Sequence, residues 1–541
     1  MIARKSLWIL SSTFILQIIG AVEFIIIIKF WGDFAPTALG TIGLAMSFLA
    51  IFNIISDLGF GPAHIKRISE GRDLGTCIGT FASIKITLTF ITVVITLISI
   101  FFIKNVFGGE IYDSNVESII FILLASNVIL NLISIPLITF TGKKEMVKRE
   151  FPYIIGTVLG FPLIILIVTA GVSSEKISSA FIWPNFLQPL QQFIANNALM
   201  TLALTYVITM SVILVISLWF LRRYPIKKPT RESFKSYFTF ALPLMLLPII
   251  SIIINNVDKL MIGYFWSPVE VGYYFAMAAV VNIVTIIPSS VSAVLFPSIS
   301  EFRSKENFSK IKQSIRLAER YISMISIFLV IIIIVLARPI VSIIMSSVFL
   351  PAVPVLIILA IFILIECLNS PYNSLVRGMD KPTVLTKIAI VTSIIIIILN
   401  FILIPKNGVL STFKIYGASG AAIATTLSAL VAFFGLRIAS KRLTGIKLWQ
   451  NHTMRHIISG IIMGLILYYL AYHTFLIQFI FWYHLILFFS LGIILYLGIL
   501  FLLKEFNKKD FNFFIDILNP KKMVKYISSE LVEDKKEKRK K

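Results

Sequence analysis

Charge is scarce in this chain: only 14% of its 541 residues are Asp, Glu, Lys or Arg, against about 25% in soluble domains. So few charges cannot cover the surface of a soluble protein this long. Cysteine is scarcer still. Cys77 and Cys367, far apart in the chain, cannot make a disulfide framework, and they read as packed thiols. Five histidines with no Cys/His cluster give no metal-ligand spacing. The short alternating segments of a membrane barrel are missing too. Acidic residues are outnumbered, 26 against 49 basic, for a net charge of +23.

What fills the chain instead is apolar: 58% of the residues, with a mean hydropathy of +0.94. The apolar residues come in runs of about 17–25, the length that crosses a ~30 Å hydrocarbon core as helix. They predict fourteen spans, near 7–28, 37–56, 79–103, 117–139, 151–171, 199–221, 237–257, 272–297, 321–337, 348–368, 384–404, 417–436, 456–472 and 479–503. The first run continues to Ile28, past the roughly 7–15 apolar residues of a signal peptide, and reads as an uncleaved span. Pro243 and Pro248 make the seventh span the most irregular.

The basic residues supply a topology. With the N-terminus inside, the inner segments carry 41 of the 49 Lys and Arg, and the outer segments carry seven. Both termini are then cytoplasmic, in a multi-pass protein of the cell membrane. The positive charge is explained without nucleic acid. The tail after Lys504 mixes aromatics with lysines. It reads either as a solvated end or as a segment lying on the anionic inner leaflet.

An internal repeat organises the spans. Pro36…Gly40 and Pro268…Gly272 open the second and eighth spans. Ile68-Ser69-Glu70 matches Ile299-Ser300-Glu301, Ser83-Ile84-Lys85 matches Ser314-Ile315-Arg316, and Pro136 with Gly142 matches Pro371 with Gly378. The matched offsets lie between 231 and 236 residues. Span one pairs with span seven, six spans on, so the halves share one orientation, as in a parallel repeat. The expected fold is an all-α polytopic membrane protein of fourteen transmembrane helices. Its parts are a six-helix lobe (1–221), a second (222–445), an appended helix pair (446–503) and a basic cytoplasmic tail (504–541). A parallel pseudo-two-fold repeat relates the lobes.

One stretch breaks the apolar pattern. Ser251–Met277 reads SIIINNVDKLMIGYFWSPVEVGYYFAM. At 100° per residue, Ser251, Asn255, Asn256, Asp258 and Lys259 share one face. Lipid cannot satisfy that face. Either it borders a cavity, with the space between lobes the expected place, or the helix has reached the outer headgroups and its charges snorkel. Span one carries Glu23 and Lys29, with Gln17 below. The candidate substrate-binding residues are Lys29, Asn255, Asn256 and Lys259. Glu23 and Asp258 are the candidate ion-coupling or counter-charge residues. Lys85 and Arg316 read as snorkelling cations, and Glu366 as a residue near an inner helix end.

These residues also carry a resemblance. Ser56-Asp57-Leu58-Gly59-Phe60-Gly61, Asn256-Val257-Asp258-Lys259, Pro268…Gly272-Tyr273-Tyr274 and Tyr416-Gly417-Ala418-Ser419-Gly420-Ala421 stand in order along nearly the whole chain. In them the chain resembles oligosaccharide and polysaccharide flippases of the O-antigen-transporter type. These belong to the multidrug/oligosaccharidyl-lipid/polysaccharide exporter superfamily. The resemblance implies a V-shaped pair of six-helix lobes, alternating access, and a glycan linked to lipid phosphate or pyrophosphate as cargo. Its partners would be that lipid-linked glycan, membrane lipids and glycan-assembly enzymes. It implies no catalytic residue, metal or cofactor. Three rival readings stand beside it, of which a structural membrane protein would need neither the repeat nor the buried charges. A multidrug or cation exporter would share the fold with a more acidic cavity. A membrane polymerase or glycosyltransferase would want a large acidic outer loop, and the longest outer connection, near 172–198, holds only Glu175 as an acid.

Overall fold

The computed structural model describes residues 2–105, 114–171, 185–242, 245–408, 416–473 and 481–506, and all regular structure in them is helical. That follows from the composition. A backbone in hydrocarbon must satisfy its own N–H and C=O groups, and a helix does so within one segment. The expected Lys176 and Lys414 segments and the basic tail beyond Phe506 lie outside the described residues.

The chain divides into two compact units, the first of them Met1–Ile252 and the second Ile253–Phe511. The first holds α1 (Ile2–Trp31), α2 (Ala35–Asp57), α3 (Phe60–Ser69), α4 (Leu74–Asn105), α5 (Ser114–Gly142), α6 (Met146–Ala170), α7 (Gln188–Asn196), α8 (Ala198–Leu221) and α9 (Arg231–Ala241). The division falls inside α10 (Leu246–Phe265). The second unit continues with α11 (Pro268–Asn282), α12 (Ile286–Ser304), α13 (Phe308–Val335), α14 (Val353–Gly378), α15 (Pro382–Leu403), α16 (Gly417–Thr444), α17 (Asn451–His473) and α18 (Trp482–Leu502).

Among the described residues, twelve helical stretches are long and apolar enough to cross a membrane. The first of them, Ile15–Ser69, runs 55 residues through α1, a 3-10 turn at Gly32–Phe34, α2 and α3. The expected seventh span is broken. Helix α9 ends at Ala241 and α10 begins at Leu246, with Pro248 in its first turn, where a missing N–H costs nothing. Phe186 and Phe193, beside and within α7, are exposed.

Residues 222–241, expected with the second lobe, pack in the first unit. The cause is a close backbone approach. A Cβ on Gly79 of α4 would sit 1.9 Å from the Lys227 carbonyl oxygen, so only glycine lets the strap before α9 lie there. The strap is then fastened. Lys227 pairs with Asp73 at 2.8 Å, and Asp73, bonded by Lys227 and Thr76, is held at a pKa of about 2. Thr230 and Ser233 cap α9 reciprocally. Ser233 meets Thr80 at 2.7 Å, and Arg67 donates to the Ser236 carbonyl. Buried His64 bridges Tyr237 and Thr139, each at 2.8 Å, and stacks on Phe81. Lys85 is buried rather than snorkelling. It donates to the Ser56 carbonyl at 2.8 Å and so closes the end of α2.

Matched helix ends close alike in the two units. After α5, the N–H groups of Lys143, Lys144 and Glu145 donate to Thr139, Thr141 and Phe140. After α14, Met379, Asp380 and Lys381 donate to Leu375, Arg377 and Val376, the same three bonds 236 residues on. Lys144 and Asp380 both have positive φ, as such a closure requires. Gly142 packs on Ile68, and Gly378 packs on Ile299.

The helices expected as an appended pair belong to the second unit by contact. Buried Glu319 of α13 pairs with Arg437 of α16 at 2.7 Å and accepts from Tyr372 of α14 and Thr453 of α17. Glu505, just past α18, is bonded by Arg320 and Arg455.

Candidate functional site

The polar stripe of α10 closes on a buried carboxylate. Asp258 is 4% exposed. Its Oδ2 accepts from the Tyr274 hydroxyl of α11 at 2.6 Å and from the Thr425 hydroxyl of α16 at 2.8 Å. Its Oδ1 accepts from the Asn400 amide of α15 at 2.7 Å. Burying a carboxylate costs several kcal/mol. Three hydrogen bonds to a charged group, each worth about 1.5–3 kcal/mol, offset that cost.

The sequence assembles the site through small residues. Helix α16 opens GASGAAIATT, and a Cβ on Gly420 would sit 2.1 Å from the Leu403 carbonyl oxygen. Glycine there lets α16 cross the end of α15 closely enough for Asn400 and Thr425 to reach one carboxylate. The turn between α10 and α11 is pinned to the same helix ends. Trp266 donates to the Ile404 carbonyl at 2.8 Å and stacks on Tyr416. Glu270 accepts from the Ala418 N–H at 3.1 Å, at the start of α16.

A cavity of about 310 Å³ lies against the carboxylate, lined among others by Asn255, Asp258 and Lys259 of α10, Tyr274, Glu366 of α14 and Thr392 of α15. Every lining residue belongs to the second unit. Three of the six sequence candidates therefore meet in one place. Asn255 is exposed, and Lys259 is half-buried and donates to the Asn255 carbonyl of its own helix. The three hydrogen bonds to Asp258 come from Tyr274, Thr425 and Asn400. Asn256 is half-buried on α10 and is not among the lining residues. Glu23, half-buried, and Lys29, exposed, stand on α1 in the first unit. The headgroup alternative fails for Asp258, because its burial and its partners come from protein.

Sequence reasoning passed over Tyr274, Asn400, Thr425 and Glu366. Asn400 is a lone polar residue with no local pattern to raise it, while Tyr274 and Thr425 lie in or beside the stretches that carry the resemblance, which gave them no role. Glu366 did raise a signal but was placed at an interface. One further atom marks the chemistry. Asn400 Oδ1 is buried with no hydrogen-bond partner among the described residues. With the Asp258, Thr425 and Tyr274 oxygens it makes an all-oxygen set around a single carboxylate, the chemistry of a hard cation or a proton. Among the described residues no group of three or more His, Cys, Asp or Glu could hold a metal ion.

The "Polysaccharide biosynthesis protein" family model matches residues 2–303, and the MatE model matches residues 243–402. The probable low-salt glycan biosynthesis flippase Agl15 of Haloferax volcanii is 24% identical over 432 residues, 79% of this chain and 81% of that one. A solved structure of the lipid II flippase MurJ, in an inward closed conformation, is similar with a TM-score of 0.67 at 16% identity. The match covers 91% of this chain and 97% of that chain. An inward-facing multidrug resistance MATE family transporter matches with a TM-score of 0.60 at 16% identity, over 79% of this chain and 96% of that one. At these identities the two structures share the fold.

Proposed function

The chain belongs to the polysaccharide biosynthesis protein family, and from that premise we propose that it is a transporter of lipid-linked glycans. It flips an oligosaccharide or polysaccharide repeat unit from the cytoplasmic to the outer leaflet by alternating access, coupled to an ion at Asp258. One observation carries the proposal: a cavity that holds a buried carboxylate, a lysine and several hydroxyl and amide groups, set in helices otherwise built for hydrocarbon. A sugar phosphate crossing unescorted would cost several kcal/mol or more for its charge alone. A hydrated path through protein lowers that cost while the lipid tail stays in the bilayer. In this reading Lys259 attracts the phosphate and Asn255 and Asn256 hold sugar hydroxyls, while Lys29 and Glu23 serve as a cation for phosphate and a titratable group of the first unit.

The membrane count follows. The 55-residue stretch is long enough to cross twice, since about 20 residues suffice, and α10 crosses once, which makes fourteen crossings with the other eleven stretches. The Lys/Arg asymmetry supports two cytoplasmic termini. The recurring helix closures and the paired glycine–isoleucine contacts support two copies of one six-helix plan, followed by the α17–α18 pair. Glycan-assembly enzymes are the natural partners of such a protein.

Lys259 tests the cargo role. Lys259→Gln should slow flipping of a labelled lipid-linked glycan in reconstituted vesicles at least tenfold, and Lys259→Arg should restore part of the rate. Equal rates in all three proteins would remove Lys259 from the path. A second reading, a multidrug exporter, is favoured by the MatE match over residues 243–402. It predicts transport of lipophilic cations, which the glycan reading does not.

A further inference from the structure

Helix α14 carries a second polar stripe. Glu366, Ser370, Asn373 and Arg377 recur at i, i+4, i+7 and i+11, one face of the helix. Opposite them, α12 offers Ser289 and Ser292. Between the two helices lies a cavity of about 310 Å³, separate from the Asp258 cavity except for Glu366, which lines both. That volume is within the range of small-molecule sites, about 300–1,000 Å³.

Its two ends differ in charge. Arg377 is exposed in the last turn of α14. The nearest acid in sequence, Asp380, is already paired with Arg303 at 2.6 Å. Among the described residues the Arg377 guanidinium and the Asn373 amide make no hydrogen bond or ion pair. Glu366 lies eleven residues away, about 16 Å along the helix axis. Between the ends stand hydroxyls. Ser292 and Ser370 meet at 2.5 Å, and Ser370 donates to the Pro288 carbonyl at 3.3 Å, which fixes the floor. A free cation at one end, hydroxyls and an amide in the middle and a carboxyl at the far end match a sugar phosphate, end to end. An ordinary anionic phospholipid would use only the Arg377 end.

We propose that this cavity is a binding subsite for the phosphate-linked sugar of the cargo. The Arg377 guanidinium takes the phosphate, Asn373 and Ser289 bond the sugar hydroxyls, and Glu366 accepts from the hydroxyl farthest from the phosphate. The assignment rests on the flippase reading. Because Glu366 also borders the Asp258 cavity, the sugar would touch the wall of the ion site.

The test is binding to full-length protein in zwitterionic nanodiscs. The probes are a short-chain polyprenyl phosphate, the same lipid phosphate carrying glucose, and phosphatidylglycerol as competitor. The glucose-linked probe should bind at least tenfold tighter than the bare phosphate. Arg377→Gln should weaken both about tenfold or more. Asn373→Ala and Ser289→Ala should erase the advantage of the sugar and leave the bare phosphate unchanged. Unaltered binding in Arg377→Gln overturns the subsite. So does an equal loss for both probes in Asn373→Ala, and so does competition by phosphatidylglycerol as strong as that of the glucose-linked probe. Thermal unfolding of each variant checks that it is folded. If wild-type protein flips a lipid-linked glycan while these variants bind as wild type, the subsite fails and the function stands. If the subsite binds as expected but nothing is flipped, the function fails.

Discussion

Replacing Asp258 by Asn separates charge from structure at the buried site. The substitution is nearly isosteric, and the surroundings can absorb it. The new amide oxygen can keep the bonds from Tyr274 and Thr425. The new NH₂ would then face the Asn400 NH₂, donor against donor. Turning the Asn400 amide over removes the conflict, because its Oδ1 has no partner and becomes the acceptor. Folding stability should therefore change by no more than about 1 kcal/mol, the scale of one neutral hydrogen bond. The ion site should suffer far more. Truncating one partner of a buried charge pair costs about 2–5 kcal/mol. At 1.4 kcal/mol per factor of ten, that weakens the coupling ion about 30-fold or more. The assay is reconstituted vesicles with a labelled lipid-linked glycan, run with and without sodium or proton gradients. Gradient-driven flipping should fall to the undriven level, while downhill exchange persists. Two results would refute the reasoning. One is gradient-driven flipping at the wild-type rate. The other is an Asp258→Asn protein that loses several kcal/mol of stability, which would make the carboxylate a structural pin.

Two further substitutions test the surroundings. Gly79→Ala puts a methyl 1.9 Å from the Lys227 carbonyl, so the strap must move. Protease cleavage near residues 225–230 should accelerate markedly, and an unchanged cleavage rate would mean the strap is not seated on α4. Burial pushes the Glu505 carboxyl up, but hydrogen bonds from Arg320 and Arg455 outweigh it and hold the pKa below the usual value. A depressed carboxyl contributes stability above its unfolded pKa of about 4.3, and that stability is lost as pH falls through the folded value. The melting temperature in detergent should therefore drop below pH 4 in the wild type and drop less in Glu505→Gln. Parallel curves would remove Glu505 as the cause.

The parts of the fold written in local pattern were legible in the sequence. Apolar runs located the helices, and Asn255 to Lys259 stood out because lipid tolerates no such stripe. What was not legible depends on which helices are neighbours. Asn400 and Thr425 become ligands of Asp258 only because Gly420 lets α16 approach the end of α15, and nothing in the sequence around Asn400 announces that crossing. Residues 237–257 read as one span around two prolines, yet they fall on α9 and α10 with a break between them. The docking of α9 rests on Tyr237, His64 and Gly79, which are remote in sequence. Lys85 looked like a snorkelling cation because the carbonyl it caps lies on another helix. Glu366 was set aside because hydropathy places a residue by depth along its own helix. Its role depends instead on the two cavities it borders.

The most direct test of the account is flipping by the purified protein alone. The protein is reconstituted into vesicles with a fluorescent lipid-linked glycan in both leaflets, and a membrane-impermeant quencher reports the outer fraction. The account predicts that an ion gradient moves the glycan lipid toward one leaflet, and that a lipophilic cationic dye in parallel vesicles is left where it was. Dye movement without glycan-lipid movement would contradict it and make the protein an exporter.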